Sequence, residues 1–132
     1  MIMDSCALLE VSCDAKNPSH NALMRQAELS YALARHVVVD LAYVLDIPPQ
    51  DPPQDRLPME DWLHLVDMLQ GKGLLVCDKE EGFVKLCAIR KEYEEYVYGV
   101  SEALVLPLPP WFPKDGAKDS WQVAAWDEDG HF

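Results

Sequence analysis

The sequence predicts an α+β domain: a long N-terminal helix, a shorter helix feeding a β-hairpin, and a closing helix followed by a Trp/Pro-rich C-terminal extension. Three patterns predict it. Apolar residues keep helical spacing from Pro18 to about Asp46. A shorter helical stripe occupies 59–71 and ends at Gly71-Lys72-Gly73. Two short runs, one apolar over 74–77 and one alternating over 83–87, flank an acidic turn that contains Gly82.

Residues 5–13 (SCALLEVSC) mix alternation with an apolar centre, and a strand is preferred there over a helical turn. Asp14 to Ser19 is polar and turn-like, and Asn17-Pro18 is a helix start. In the long helix Leu23, Ala27, Ser30, Ala34, Val37, Leu41 and Leu45 form one stripe, which Tyr31, Val38, Ala42 and Tyr43 broaden. A continuous helix of that length spans about 43 Å, so a break near Ser30 or His36 is expected. The β-branched run Val37-Val38-Val39 weakens the helix locally. The wide apolar face predicts burial on more than one side, including against a second subunit.

Residues 48–55 (PPQDPPQD) repeat a tetrapeptide whose prolines end the helix and favour stiff polyproline II. Pro58 suits a first helical position, and Glu60 and Asp61 follow where the helix dipole favours acids. Trp62, Val66 and Leu69 then form the stripe, flanked by Met59 and Leu65. Leu74 to Cys77 reads as a buried strand. Asp78 to Gly82 reads as a turn, and Phe83, Lys85 and Cys87 alternate with Val84 and Leu86 as a second strand. A helix follows from Ala88 to about Leu104, with Ile89, Tyr93, Tyr96, Val97, Val100 and Leu104 inward and Glu92, Glu94, Glu95 and Glu102 outward. Arg90–Glu94 and Lys91–Glu95 are spaced as surface pairs worth a few tenths of a kcal/mol. Residues 105–113 (VLPLPPWFP) leave regular structure. The acidic segment 114–132 carries Trp121 and Trp126, which predicts packing on the body or on a partner.

The succession of apolar helix, KGLL, polar turn with glycine and alternating strand over 58–87 resembles the recognition helix and wing of the winged-helix (winged helix-turn-helix) superfamily. The resemblance implies a winged-helix-like domain over 1–104, with 105–132 as an extension. It also implies that the 59–71 helix would enter a DNA major groove and that the hairpin would meet the backbone. Pairing through terminal helices is a further implication. The residues oppose the DNA role: Glu60 and Asp61 lead the helix, no Arg or Lys precedes Lys72, and the wing tip sets Asp78, Glu80 and Glu81 against Lys79. A proline connector also stands where the family places a second helix.

Composition narrows the partners. The 132 residues suit one domain with a core, and 49% apolar content excludes wholesale disorder. A net charge of −12 with no basic segment disfavours nucleic acid and anionic lipid and matches a protein with a basic surface. No run approaches the ~20 apolar residues of a membrane span. The opening residues lack a signal peptide's basic and apolar regions. Together these predict a cytoplasmic protein whose four cysteines are thiols.

Candidate chemistry is sparse. Cys6, Cys13 and His20, with Cys77 or Cys87, could ligate zinc, but the short C-x-x-C knuckle is missing and packed thiols are preferred. Cys77 and Cys87 would face each other across the hairpin without bonding. His36/Asp40 and Glu60/His64 are helix-spaced acid–base pairs that nothing joins to a nucleophile. The expectation is therefore a non-catalytic protein-binding module without cofactor or metal. Its partner-binding residues would be Trp62, His64, Glu80, Glu81, Phe83, Trp111, Trp121 and Trp126, and homodimerisation would be available to it. The alternatives are a DNA-binding transcriptional regulator and a small acidic, phage-type inhibitor that mimics nucleic acid.

Overall fold

The computed structural model describes residues 1–13, 16–73 and 78–112. Among them the chain forms five helices and no strand: α1 (Ile2–Ser12), α2 (Pro18–Val44), α3 (Met59–Gly71), α4 (Lys79–Lys91) and α5 (Glu94–Leu104). The class is all-α. The expected α+β class, the β-hairpin wing and with them the winged-helix resemblance are overturned. The expected strand over 74–77 lies outside the described residues.

Each reversal has a local cause. Asp78 does not turn a hairpin; its carboxylate accepts from the backbone N–H groups of Glu80 and Glu81, both at 3.0 Å, and so caps α4. The acids read as a wing tip are the acidic first turn of that helix. Gly82, Leu86 and Arg90 are its buried residues, at helical rather than alternate spacing. In α1 the buried positions Met3, Ala7 and Val11 follow i, i+4, i+8, so the 5–13 strand is also overturned. Both runs are short, and in short apolar runs period 2 and period 3.6 are hard to separate.

Where the sequence carries long periodicity or end signals, the structure follows it. Asn17 accepts from the Ser19 N–H at 3.0 Å and caps α2, with Pro18 in the first turn. α2 then runs 27 residues without the expected break. It ends in a Schellman closure: Ile47 N–H reaches Ala42 O at 2.8 Å and Asp46 N–H reaches Tyr43 O at 3.2 Å, with Asp46 left-handed at φ 55°. Gly73 takes φ 69° just past α3. The expected 88–104 helix is instead split. Glu92 and Tyr93 form a tight turn between α4 and α5, which drives the Tyr93 ring into the core.

α1 lies against α2 and α4, α2 against α5, and α3 and α5 against α4. The core joins Met3, Ala7 and Val11 of α1 to Leu57, Trp62, Leu65, Val66, Leu86, Tyr93 and Val97. The proline connector is stitched along α5: Gln50 N–H donates to Glu95 O at 3.0 Å, and Pro48 O lies 2.7 Å from where a Cβ on Gly99 would stand. Gly99→Ala should therefore push the connector off α5 and cost about 1–3 kcal/mol. Thermal unfolding reads this directly, and an unchanged midpoint would contradict the close approach.

Candidate functional site

The most elaborate chemistry surrounds Arg56 and Arg90. Arg56 stands in the connector, which the prolines carry back across the bundle, and Arg90 is one of the buried residues of α4. Arg56 donates to Asp4 at 2.7 and 3.3 Å, to Glu94 at 3.3 Å and to the Pro109 carbonyl at 3.0 Å. Arg90 is 4% exposed. Its Nε and Nη2 fork onto Glu94 at 3.0 and 3.1 Å, its Nη1 donates to Leu57 O at 3.2 Å, and its Nη2 also meets Asp55. Tyr93 donates its hydroxyl proton to Asp4 at 2.7 Å. The network thus ties α1, the connector, α4 and α5 to the 105–112 segment.

Burial and charge set the protonation states. Burial opposes ionisation of Asp55, but hydrogen bonds from Arg90 and the Leu57 N–H, with the charge of Arg90, outweigh it and hold the carboxyl below its usual range. Burial also opposes the charge on Arg90, and Glu94 and Asp55 overcome it, so that the guanidinium is held more firmly protonated than in water. Burial, then the charge and hydrogen bond of Asp4, push the Tyr93 phenol far up. Asp55 is thus committed to Arg90 rather than poised as a base. Burial likewise raises the thiols of Cys6, Cys13 and Cys87, which lowers their thiolate character.

Trp111 is held over this network. The Arg56 and Arg90 guanidinium carbons lie 5.9 and 5.6 Å from its ring. Its Nε1 is buried with no acceptor among the described residues. Beside it opens a cleft of about 560 Å³ between the connector, α5 and residues 107–112. Prolines 52, 53 and 58 form one wall, Pro107, Pro109 and Pro110 another, and Tyr98, Trp111 and Phe112 supply aromatic surface. The lining carries three acids, Asp55, Asp61 and Glu102, against one cation, Arg56; Arg56 is paired with Asp4 and Glu94, and Asp55 with Arg90, which leaves Asp61 and Glu102 as its open carboxylates among the described residues.

The residues expected to meet a partner are not gathered at one place. Trp62 is fully buried, its Nε1 donating to Lys79 O at 2.9 Å and its ring 6.1 Å from Phe83. His64 is exposed on α3, 5.4 Å from the Phe112 ring. Glu80 and Glu81 are exposed on the first turn of α4, and Phe83 is half-buried against the core. Trp111 lines the cleft, while Trp121 and Trp126 lie outside the described residues. Sequence reasoning considered Arg56 only as one of the basic residues of a DNA-binding alternative, whereas it pairs with Asp4 and Glu94, and it gave Arg90–Glu94 a surface role. The i,i+4 spacing is real, but its burial depends on Asp55 and Leu57, more than thirty residues away. The only local signal was an arginine inside an otherwise apolar stripe.

No described group of three or more His, Cys, Asp or Glu side chains is arranged to hold a metal ion. The zinc set that includes Cys77 reaches outside the described residues. The His36–Asp40 pair does form, at 3.2 Å, on an exposed helix face. No described helix is long and apolar enough to cross a membrane. Comparison with protein-family models, with curated proteins and with solved structures gives no match.

Proposed function

We propose that this chain is a non-catalytic protein-binding module that receives a basic, extended segment of a partner protein in the cleft between the connector and residues 107–112. The observation that carries the reading is the lining: proline and aromatic walls with the carboxylates of Asp61 and Glu102 among them. Lysine and arginine side chains suit such a surface, because their aliphatic stems cover apolar walls while their heads meet carboxylates. The walls are stiff, since Trp111 is fixed by two guanidiniums and prolines lose little freedom on binding. The net charge of −12 would steer a basic partner toward the protein. The three described cysteines are all free thiols, which fits a reducing, cytoplasmic setting.

Fluorescence anisotropy with labelled peptides of equal length, one lysine/arginine-rich, one uncharged and one glutamate-rich, tests this. The basic peptide should bind best, lose affinity with added salt, and lose about tenfold on Glu102→Lys in the protein. Equal binding of the acidic peptide, or indifference to Glu102→Lys, would remove the cleft as the site. Salt-sensitive binding of duplex DNA in the same assay would replace this reading with the nucleic-acid one.

A further inference from the structure

α2 has a second apolar face that its own chain does not cover. Ala27, Tyr31, Ala34, Val38 and Ala42 face the body, and Ala27 and Ala42 are fully buried. At 100° per residue, Ala22, Gln26, Leu29, Leu33, Val37, Asp40 and Val44 fall in one narrow arc on the opposite side. The large apolar members are open to solvent: Leu29 is 63% exposed, Leu33 67%, Val37 55% and Val44 77%. A lone exposed leucine needs no explanation, but four large exposed apolar residues on one arc of one helix do.

We propose that the occupant of this face is a second copy of the chain, packed antiparallel, α2 against α2, about a two-fold axis at Leu33. The order of residues carries the choice. Counting outward from Leu33 in both directions, Leu29 is matched by Val37, Gln26 by Asp40 and Ala22 by Val44. An antiparallel two-fold therefore sets leucine on valine, small on large at the ends, and amide beside carboxylate, which is the self-complementarity an isologous contact requires. The charges agree. Arg25, which makes no ion pair among the described residues, would stand beside the partner copy's Asp40 at both ends of the contact. A parallel pairing would instead set Arg25 on Arg25 and Asp40 on Asp40.

The electrostatics of the whole chain point to the same element. α2 carries Arg25 and Arg35 against Glu28 and Asp40, so it is net neutral in a chain of charge −12. Two copies meet there with the least repulsion, and the remaining charge is screened beyond about 10 Å in 0.1 M salt. A helix of this length laid on another covers on the order of 500 Å² per copy. That places the pair at the lower end of specific interfaces, roughly 1,000 Å² in total, and makes it a concentration-dependent dimer rather than an obligate one. The pairing does not involve the cleft and stands independently of the proposed function.

Sedimentation velocity on the full chain, over a series from low micromolar to millimolar, is the test. The expected result is a monomer–dimer transition within that range. Leu33→Glu places two carboxylates on the axis and should raise the dissociation constant about a hundredfold or more. Far-UV circular dichroism should be unchanged, because Leu33 is an exposed position. Arg25→Asp and Asp40→Arg should each weaken the dimer about tenfold, and the two together in one chain should restore most of the loss. A monomer at every concentration, whether the face is left bare or covered by residues 113–132, overturns the proposal. So does a dimer indifferent to Leu33→Glu, and so does a double variant no better than either single.

Discussion

Arg90→Ala is expected to unfold this protein, or nearly so. The substitution removes the fork that holds Glu94 and the contacts to Asp55 and the Leu57 carbonyl. Glu94 is left largely buried with only Arg56 to answer it, and the Leu57 carbonyl loses its guanidinium donor. Breaking a buried pair by deleting one partner costs about 3–5 kcal/mol, against a total of about 5–15 kcal/mol for a typical domain. Arg90→Lys should recover only part of the loss, because an ammonium cannot reproduce the planar fork. The pH dependence gives a second reading. The Asp55 carboxyl is held below its usual range by Arg90, so the folded state binds its proton less readily than the unfolded chain does. The stabilisation is complete above the ordinary carboxylate range and is lost as pH falls through the lowered folded value. Urea titrations at neutral and at acid pH should show the wild type and Arg90→Ala converging on the acid side. An Arg90→Ala protein within about 0.5 kcal/mol of wild type at neutral pH would contradict the network.

Trp62→Ala should cost a comparable amount by a different physical route. The side chain is fully buried among the packed residues of the core and touches Phe83 across the α3–α4 contact. Truncating a buried tryptophan costs about 3–5 kcal/mol, through lost transfer energy and an unfilled cavity. Trp62→Phe separates the terms. It keeps most of the apolar volume but leaves the Lys79 carbonyl without the indole donor, and should cost about 1–3 kcal/mol. Chemical denaturation of both variants checks the order. A Phe variant as damaged as the Ala variant would mean that the hydrogen bond, and not the volume, dominates.

The elements legible in the sequence were those whose signals are local and repeated. The stripe of α2 has 27 residues in which to declare its period, and Asn17-Pro18 marks its start. α3 announces itself through Glu60, Asp61 and the Trp62–Val66–Leu69 spacing. The failures were short runs. α1 is 11 residues of nearly continuous apolar character, in which strand and helix spacing can both be found. For α4 the misleading feature was Gly82, taken as a turn residue when Asp78 four positions earlier was already a helix cap. The split at Glu92–Tyr93 was invisible because it is set by where Tyr93 must point, toward Asp4 of α1. The candidate site was less legible still. Its prolines and Trp111 could be seen, but the pairing of Arg56 with Asp4 and the roofing of Arg56 and Arg90 by Trp111 join residues that only the tertiary fold brings together.

The Tyr93–Asp4 hydrogen bond spans 89 residues, and the Arg56–Asp4 pair spans 52. Taken together, these ties and the Arg56–Glu94 pair need the first helix, the connector and the start of the fifth helix. Closing loops of that length costs entropy before any contact returns it, and chains rich in distant contacts fold more slowly than helical proteins built from neighbours. The helices can appear early and separately, but the polar centre can assemble only when nearly the whole described chain has arrived. A nascent chain that has not yet supplied Tyr93 and Glu94 can pair Asp4 with Arg56 but lacks the Tyr93 and Glu94 partners that complete the centre. During synthesis, commitment to this fold is accordingly a late event, made near the C-terminal end of α4 rather than at the long helix that comes first.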